Sequence, residues 1–305
     1  MSPLLSLALT RRAQEDTGRL FSQLVTSFAL AGLIELLLYG MHLVLFFIYL
    51  HLVLLNRQAT PKLIFGAIVL LFLSCTIDVA FTLDSIVNRL PPAVEQTDLA
   101  ALLPPDRVNP KNLIFVTNNF IADFLLLYRC WMVWGSSYKY WVMFIGLFIV
   151  AETGVGLYHA ISLGTTISVV GRFYTWAILA INILLTSATA GRIWWISRAY
   201  RSALGKRHVQ VYRQAVVILL GSGSIYPLGM IIYLALLGFF PLVKYVLVAI
   251  PIRLVGIAPT MMIVQVGLNK FTKQEPDTLT EKDGDNGSYD EGYEPQRTGS
   301  QRSTN

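Results

Sequence analysis

The chain has 305 residues, 54% of them hydrophobic and 14% charged, with a formal net charge of +6 and a mean hydropathy of +0.57. Soluble domains carry about a quarter charged residues, so this composition excludes an ordinary soluble domain. The positive balance borders long apolar blocks, which points to anionic lipid headgroups as its partner and does not imply nucleic acid.

Residues 1–23 open with a short apolar piece followed by charges, "MSPLLSLALTRRAQEDTGRL". A cleavable signal would place its positive charge ahead of the apolar core, so this stretch reads as a short extracellular tail before a first helix that directs its own insertion. Seven apolar blocks follow in residues 24–270, spanning roughly Leu24–Leu55, Leu63–Ile86, Leu113–Trp134, Trp141–Ala160, Phe173–Ile196, Ala215–Leu237 and Tyr245–Val266. Each is near or above the ~20 residues that cross a bilayer core as a helix. None alternates with a period of two, as the strands of a membrane barrel would. The predicted fold is an all-α integral membrane bundle of seven transmembrane helices, without the repeat that marks inverted-repeat transporters.

Lysines and arginines in the connections set the predicted orientation. One side carries Arg57, Lys62, Arg129, Lys139, Arg192, Arg198, Arg201, Lys206, Arg207, Arg213, Lys270 and Lys273; the other carries Arg11, Arg12, Arg19, Arg89, Arg107, Lys111, Arg172 and Lys244. Twelve against eight places the N-terminus outside and the C-terminus in the cytosol, and the plasma membrane is the expected location. Six of the twelve fall in the short stretch from Arg192 to Arg213, the end of the fifth block and its connection to the sixth. Residues 271–305 are expected to form a disordered cytosolic tail, because residues 274–305 hold eight acidic and three basic residues and hardly any aliphatics. The Asn-Gly-Ser sequence at 286–288 falls in that tail, so it is not expected to carry sugar. Cys75 and Cys130 are expected at different depths, too far apart for a disulfide.

An ionisable group near the middle of a spanning helix costs at least ~2.5–3.5 kcal/mol on insertion scales, so each one needs a partner. Glu35, His42, Asp78, Asp123, Glu152, His159 and Arg253 are such groups. At ~1.5 Å rise per residue, Glu35, Asp123, Glu152 and Arg253 fall within about two turns of the midplane. Asp78 lies somewhat nearer the outside, and Asn182 and Tyr226 join the same layer, so every block contributes one polar group to a common depth. Helical spacing puts Glu35, Tyr39 and His42 on one face, and likewise Asn119 with Asp123, Glu152 with Gly156 and His159, and Asn182 with Thr186 and Thr189. The candidate mid-membrane polar site is therefore Glu35, His42, Asp78, Asn119, Asp123, Glu152, Asn182, Tyr226 and Arg253. Asp123, with Glu35, Asp78 or Glu152, is expected to help neutralise Arg253. Interhelical polar contacts of this kind also act as glue worth ~0.6–2 kcal/mol each. With more carboxylates than arginines, the layer would welcome a cation or an amine.

Arg129 ends the third block on the predicted cytosolic side, amid Trp131, Trp134, Tyr138, Tyr140 and Trp141. The simpler reading is a snorkelling arginine in an aromatic belt; the sharper one is a cytosolic switch that changes partners when helices move. Pro227, with Gly221 and Gly223 before it, and Pro251 and Pro259 mark expected kinks in the sixth and seventh blocks.

The segments "ADFLLLYRCWMVW", "AGRIWWISR", "GSGSIYPL" and "GIAPTMMIVQVGL" together resemble a large, poorly characterised family of basidiomycete fungal seven-transmembrane proteins. The chain departs from that family's pattern at Gly221 and Gln265, where relatives often carry an acidic residue and an arginine. The resemblance implies a multi-pass membrane protein and no particular activity.

The expected function is that of a receptor-like seven-transmembrane protein sensing a small or lipidic ligand, with a phosphorylatable tail and a cytosolic signalling partner. Some marks of common G-protein-coupled receptors are missing: no acidic residue directly precedes Arg129, and the seventh block has no Asn-Pro-x-x-Tyr. The alternative is a proton- or cation-coupled transporter or channel that uses the mid-membrane carboxylates. The seventh block lacks the mid-membrane lysine of a retinal protein, since Lys244 and Lys270 lie at its ends. His42, His51, His159 and His208 make no metal-binding spacing. Neither enzymatic activity, a catalytic residue, a cofactor nor a metal is expected.

Overall fold

A computed structural model of the protein describes residues 3–56, 61–96, 110–135, 138–162, 169–199, 217, 220–237 and 244–283, with side chains described within residues 17–268. Arg57, Arg107, Arg201, Lys206, Arg207, Arg213 and residues 284–305, with their Asn-Gly-Ser sequence, lie outside the described residues. Two compact units are distinguished, Met1–Gly267 and Leu268–Asn305. Among the described residues there is no strand.

Helix α1 runs from Pro3 to Asn56 without a break. It therefore begins about twenty residues ahead of the start at Leu24 expected from hydropathy. No proline interrupts it after Pro3, and hydropathy marks only the part of a helix suited to lipid, not the helix itself. Its 54 residues would span about 80 Å, against a bilayer core of ~30 Å.

Helix α2 (Lys62–Asp84) passes through a π turn, Ser85–Arg89, into α3 (Leu90–Gln96). The expected second span stops at Ile86, but the helix continues. The π turn immediately precedes Pro91 and Pro92, which have no N–H to give to the preceding turn. Leu90 donates its N–H to Ser85 O across that turn. Asp84 accepts from Asn88 Nδ2 at 2.9 Å and pairs with Arg89 Nε at 3.4 Å.

Helices α4 (Pro110–Trp134), α5 (Lys139–Ser162) and α6 (Val169–Ala199) follow. Helix α4 ends at Gly135, whose φ of 70° is the left-handed conformation that lets its N–H turn back, here to Trp131 O at 3.1 Å. Helix α7 (Ile225–Leu237) and helix α8 (Lys244–Asp283) complete the described chain. A helical turn at Leu220–Gly223 precedes α7, with Ser224 as the break between them. That break lies one turn before Pro227, where the missing N–H leaves Gly223 O without its helical donor. The expected kink in this segment thus has a local cause. Helix α8 continues through Pro251 and Pro259. It also runs to Asp283, past the composition change at residue 274 where a disordered tail was expected. Few aliphatics prevent a segment from burying a core, but an α-helix satisfies its own backbone without one.

Among the described residues six helices are long and apolar enough to cross a membrane: Thr17–Leu54, Lys62–Glu95, Pro110–Trp134, Lys139–Ile161, Val169–Ile196 and Val246–Leu268. Leu220–Leu236 is a shorter apolar helix, and part of the seventh expected span, Ala215, Val216, Ile218 and Leu219, lies outside the described residues.

Within the first unit α4 packs against α2, α5 and α6, while α1 packs on α2, α5 on α6 and α6 on α7. The α8 span is 67% buried against 22% for those of α1 and α5, which makes it the interior helix of the bundle. One core cluster joins Val116 and Ala122 of α4 to Ile178 of α6, Met230 of α7 and Val255 of α8. A second joins Tyr49 of α1, Leu71 of α2, Leu125 of α4 and Val264 of α8. At Gly256 a Cβ would lie 2.8 Å from both Cys75 Sγ and His42 Cε1, so α8 can approach α1 and α2 there only because the side chain is missing. Outward faces carry exposed Leu33, Leu37, Trp141, Phe144, Leu147 and Phe173. So large an unbroken apolar surface needs lipid rather than water against it, and the chain is an all-helical membrane protein.

Candidate functional site

The polar residues expected in one layer separate into two groups. The first surrounds Arg253 of α8, which is 2% exposed. Its Nη2 donates to Asp78 Oδ2 of α2 and, at 3.2 Å, to Glu35 Oε2 of α1. Its Nη1 donates to the carbonyl of Cys75 at 3.1 Å. Lys111, the second residue of α4, donates to both oxygens of Glu35 at 3.0 and 3.2 Å and to Thr82 Oγ1 at 2.8 Å. Thr82, four residues after Asp78 and so on the same face of α2, donates to Glu35 Oε2. Two carboxylates thus meet two cations from four helices, and the group carries no net charge. Balance of this kind is what permits buried charges at all: a lone one pays its full desolvation cost.

The second group holds no cation. Asn182 Nδ2 of α6 donates to Asp123 Oδ1 of α4 at 2.9 Å. Tyr226 of α7 donates its hydroxyl to Asn119 Oδ1 at 2.8 Å, and Asn119 Nδ2 donates to Phe115 O at 2.9 Å. The spacing of Asn119 and Asp123 puts both on one face of α4, so α4 is joined there to α6 and α7.

Asp123 is therefore a partner of Asn182, not a counter-ion of Arg253. It is 2% exposed and enters no ion pair among the described residues. Depth measured from the ends of apolar blocks misplaces Glu35, because α1 extends about twenty residues ahead of its apolar block. Glu35 lies where the first turn of α4 can reach it. Lys111 stands two residues before the apolar run beginning at Leu113 and belongs to α4, not to a loop. A lysine's four-carbon stem can reach inward from such a position as readily as outward.

The other expected site residues make no hydrogen bond to either group among the described residues. His42 is 2% exposed, lies 3.4 Å from Thr260 Oγ1 and meets Phe72 edge-on. Glu152 is 8% exposed, and its Oε2 makes no hydrogen bond to a described residue. Arg129 lines a small cavity with Thr186, Thr189 and Gly223 and has no ion pair among the described residues. The aromatic belt near it gathers around a different arginine: Arg192 lies 5.3 Å from the ring of Trp134, 5.4 Å from Tyr138 and 4.8 Å from Trp195. Both cysteines are free and buried.

Two cavities border these groups. One of about 20 Å³ lies against Asn182 and Tyr226 of the second group, with Val255 and Ala258 of α8 opposite. The larger, about 110 Å³, is lined by the first turns of α4, α6 and α8 and the last turns of α5 and α7. Lys111, Asn112, Phe115, His159, Tyr174 and Tyr233 are among its lining. Lys111 thus belongs both to this pocket and to the charge group around Arg253. No motif announces the pocket, because its walls come from five separate helices. Among the described residues no three histidine, cysteine or acidic side chains gather as metal ligands. Comparison of the chain with family models, with curated proteins and with solved structures finds no match.

Proposed function

We propose that this is a receptor-like seven-transmembrane protein of the kind its sequence resembles in basidiomycete fungi, sensing a small or lipidic ligand and signalling to a cytosolic partner. In this reading α7, with the apolar residues preceding it, is the sixth span. The N-terminus is outside, the C-terminus is cytosolic, and the protein resides in the plasma membrane. The carrying observation is the pocket of about 110 Å³ that shares Lys111 with the buried charges. That space is several times the ~10–15 Å³ that a single water needs. With the N-terminus outside, the helix ends that enclose it all face outward. Occupancy there has a direct route, through Lys111 and Glu35, to the interior helix α8.

A proton- or cation-coupled carrier is the second reading. It is favoured by Asp123 and Glu152, buried carboxylates with no ion-pair partner among the described residues. Reconstituted protein distinguishes the two. A receptor is expected to be stabilised by a ligand in a thermal-shift screen of amines, lipids and sterols, with the shift lost in Val248→Trp, which fills the pocket. It should move no protons across the vesicle. Dissipation of an imposed pH gradient by the parent but not by Asp123→Asn or Glu152→Gln would replace the receptor by the carrier.

A further inference from the structure

Resting on the reading of the larger pocket as a ligand site, we infer that its ligand is a small carboxylate with an apolar body, which competes with Glu35 for Lys111. Among the described residues no aspartate or glutamate lines the pocket, whereas Lys111 and His159 do. An ammonium ligand would meet Lys111 at like charge; a carboxylate complements it. The rest of the wall offers apolar surface from Phe115, Val248 and Ile252, which suits a hydrocarbon body and offers a polyanion little.

Competition follows from the donors available. An ammonium group has three protons, and Lys111 directs its Nζ to Glu35 Oε1, Glu35 Oε2 and Thr82 Oγ1. A carboxylate entering the pocket must draw at least one of these away. Lys111 can respond because its side chain is 27% exposed, against 2% for Arg253. Glu35 is not left without a cation when Lys111 turns, since Arg253 Nη2 stands 3.2 Å from its Oε2. Ligand binding therefore exchanges one carboxylate for another on Lys111 and shifts Glu35 toward Arg253. A change at the pocket is thereby carried from α4 to α1 and α8.

The test uses full-length protein in nanodiscs of zwitterionic lipid, so that anionic headgroups do not compete. Decanoate, decylammonium and decanol present three head groups on one hydrocarbon chain. Equilibrium binding should favour decanoate over the other two by about tenfold or more, the range of a charge-assisted hydrogen bond. Lys111→Met should abolish that preference while Lys111→Arg keeps it, and the conservative pair guards against a variant that only misfolds. Glu35→Gln should tighten decanoate several-fold, because it weakens the competitor. If decylammonium or decanol binds as well as decanoate and Val248→Trp still removes binding, the carboxylate inference is overturned and the pocket stands. Binding of no probe, or binding indifferent to Val248→Trp, overturns both. Decanoate affinity unchanged in Glu35→Gln overturns the competition.

Discussion

Arg253 keeps its charge in any environment a protein provides, so the residues around it are constrained by that one guanidinium. Asp78 and Glu35 accept from it, and Lys111 supplies the second positive charge that two carboxylates require. Removing one partner of a buried ion pair typically costs about 3–5 kcal/mol. Arg253→Gln is therefore expected to lower the midpoint of thermal unfolding in nanodiscs strongly. Asp78→Asn in the same chain should recover part of that loss, a non-additive coupling that reports direct contact. Asp123 behaves differently, because Asn182 can still donate to the amide oxygen of Asp123→Asn. That substitution should cost about 1 kcal/mol or less, the range of interhelical polar contacts in membranes, and should add to Arg253→Gln without coupling. Coupling between Asp123 and Arg253, with none between Asp78 and Arg253, would reverse the assignment of partners.

At the scale of the helix, α7 illustrates how a single residue sets local mechanics. Ser224 donates its N–H to Leu220 O at 3.0 Å and accepts that of Leu228 at 2.9 Å. The bond absent between these two is the one Pro227 cannot make to Gly223 O. Pro227→Ala restores that donor. Hydrogen exchange of peptides covering residues 223–231 is expected to slow by about fivefold, as one helical hydrogen bond is worth ~1 kcal/mol net. Exchange unchanged in that segment would mean the break has another cause. Pro227 was readable as a breaker from sequence because proline acts on its own turn. Pro251 and Pro259 were readable in the same way, and α8 stays helical through both, in a segment that is 67% buried. The apolar blocks were legible for the same local reason as Pro227, since lipid-length runs need no tertiary information. The partner of Asp123 and the role of Lys111 were not. Facing side chains on different helices depend on how those helices are set in depth, and α1 begins at Pro3 rather than where its hydropathy rises. The pocket, made by five helix ends, has no trace in any one of them.

Across the whole molecule, charge rather than packing decides which way the bundle lies in a bilayer. Residues 1–273 carry a net charge of +11 and the remaining tail −5, so in the proposed orientation the membrane-bound part would offer a basic rim to anionic cytosolic headgroups. The margin between the two faces is narrow, twelve lysines and arginines against eight. Four of the twelve, Arg201, Lys206, Arg207 and Arg213, lie in a single connection between α6 and α7. Replacing those four by glutamine leaves eight on each side, and topology follows charge counted over short loops. A reporter fused after Asn305 should be cytosolic in the parent protein. In the four-glutamine variant it should divide between the two sides of the membrane. The same variant should lose part of any ligand response, because inverted copies present the pocket to the cytosol. A parent reporter found outside would invert the proposed orientation and place the Lys111 pocket on the cytosolic face. A variant reporter still wholly cytosolic would mean that the first helices fix orientation before the basic connection is made.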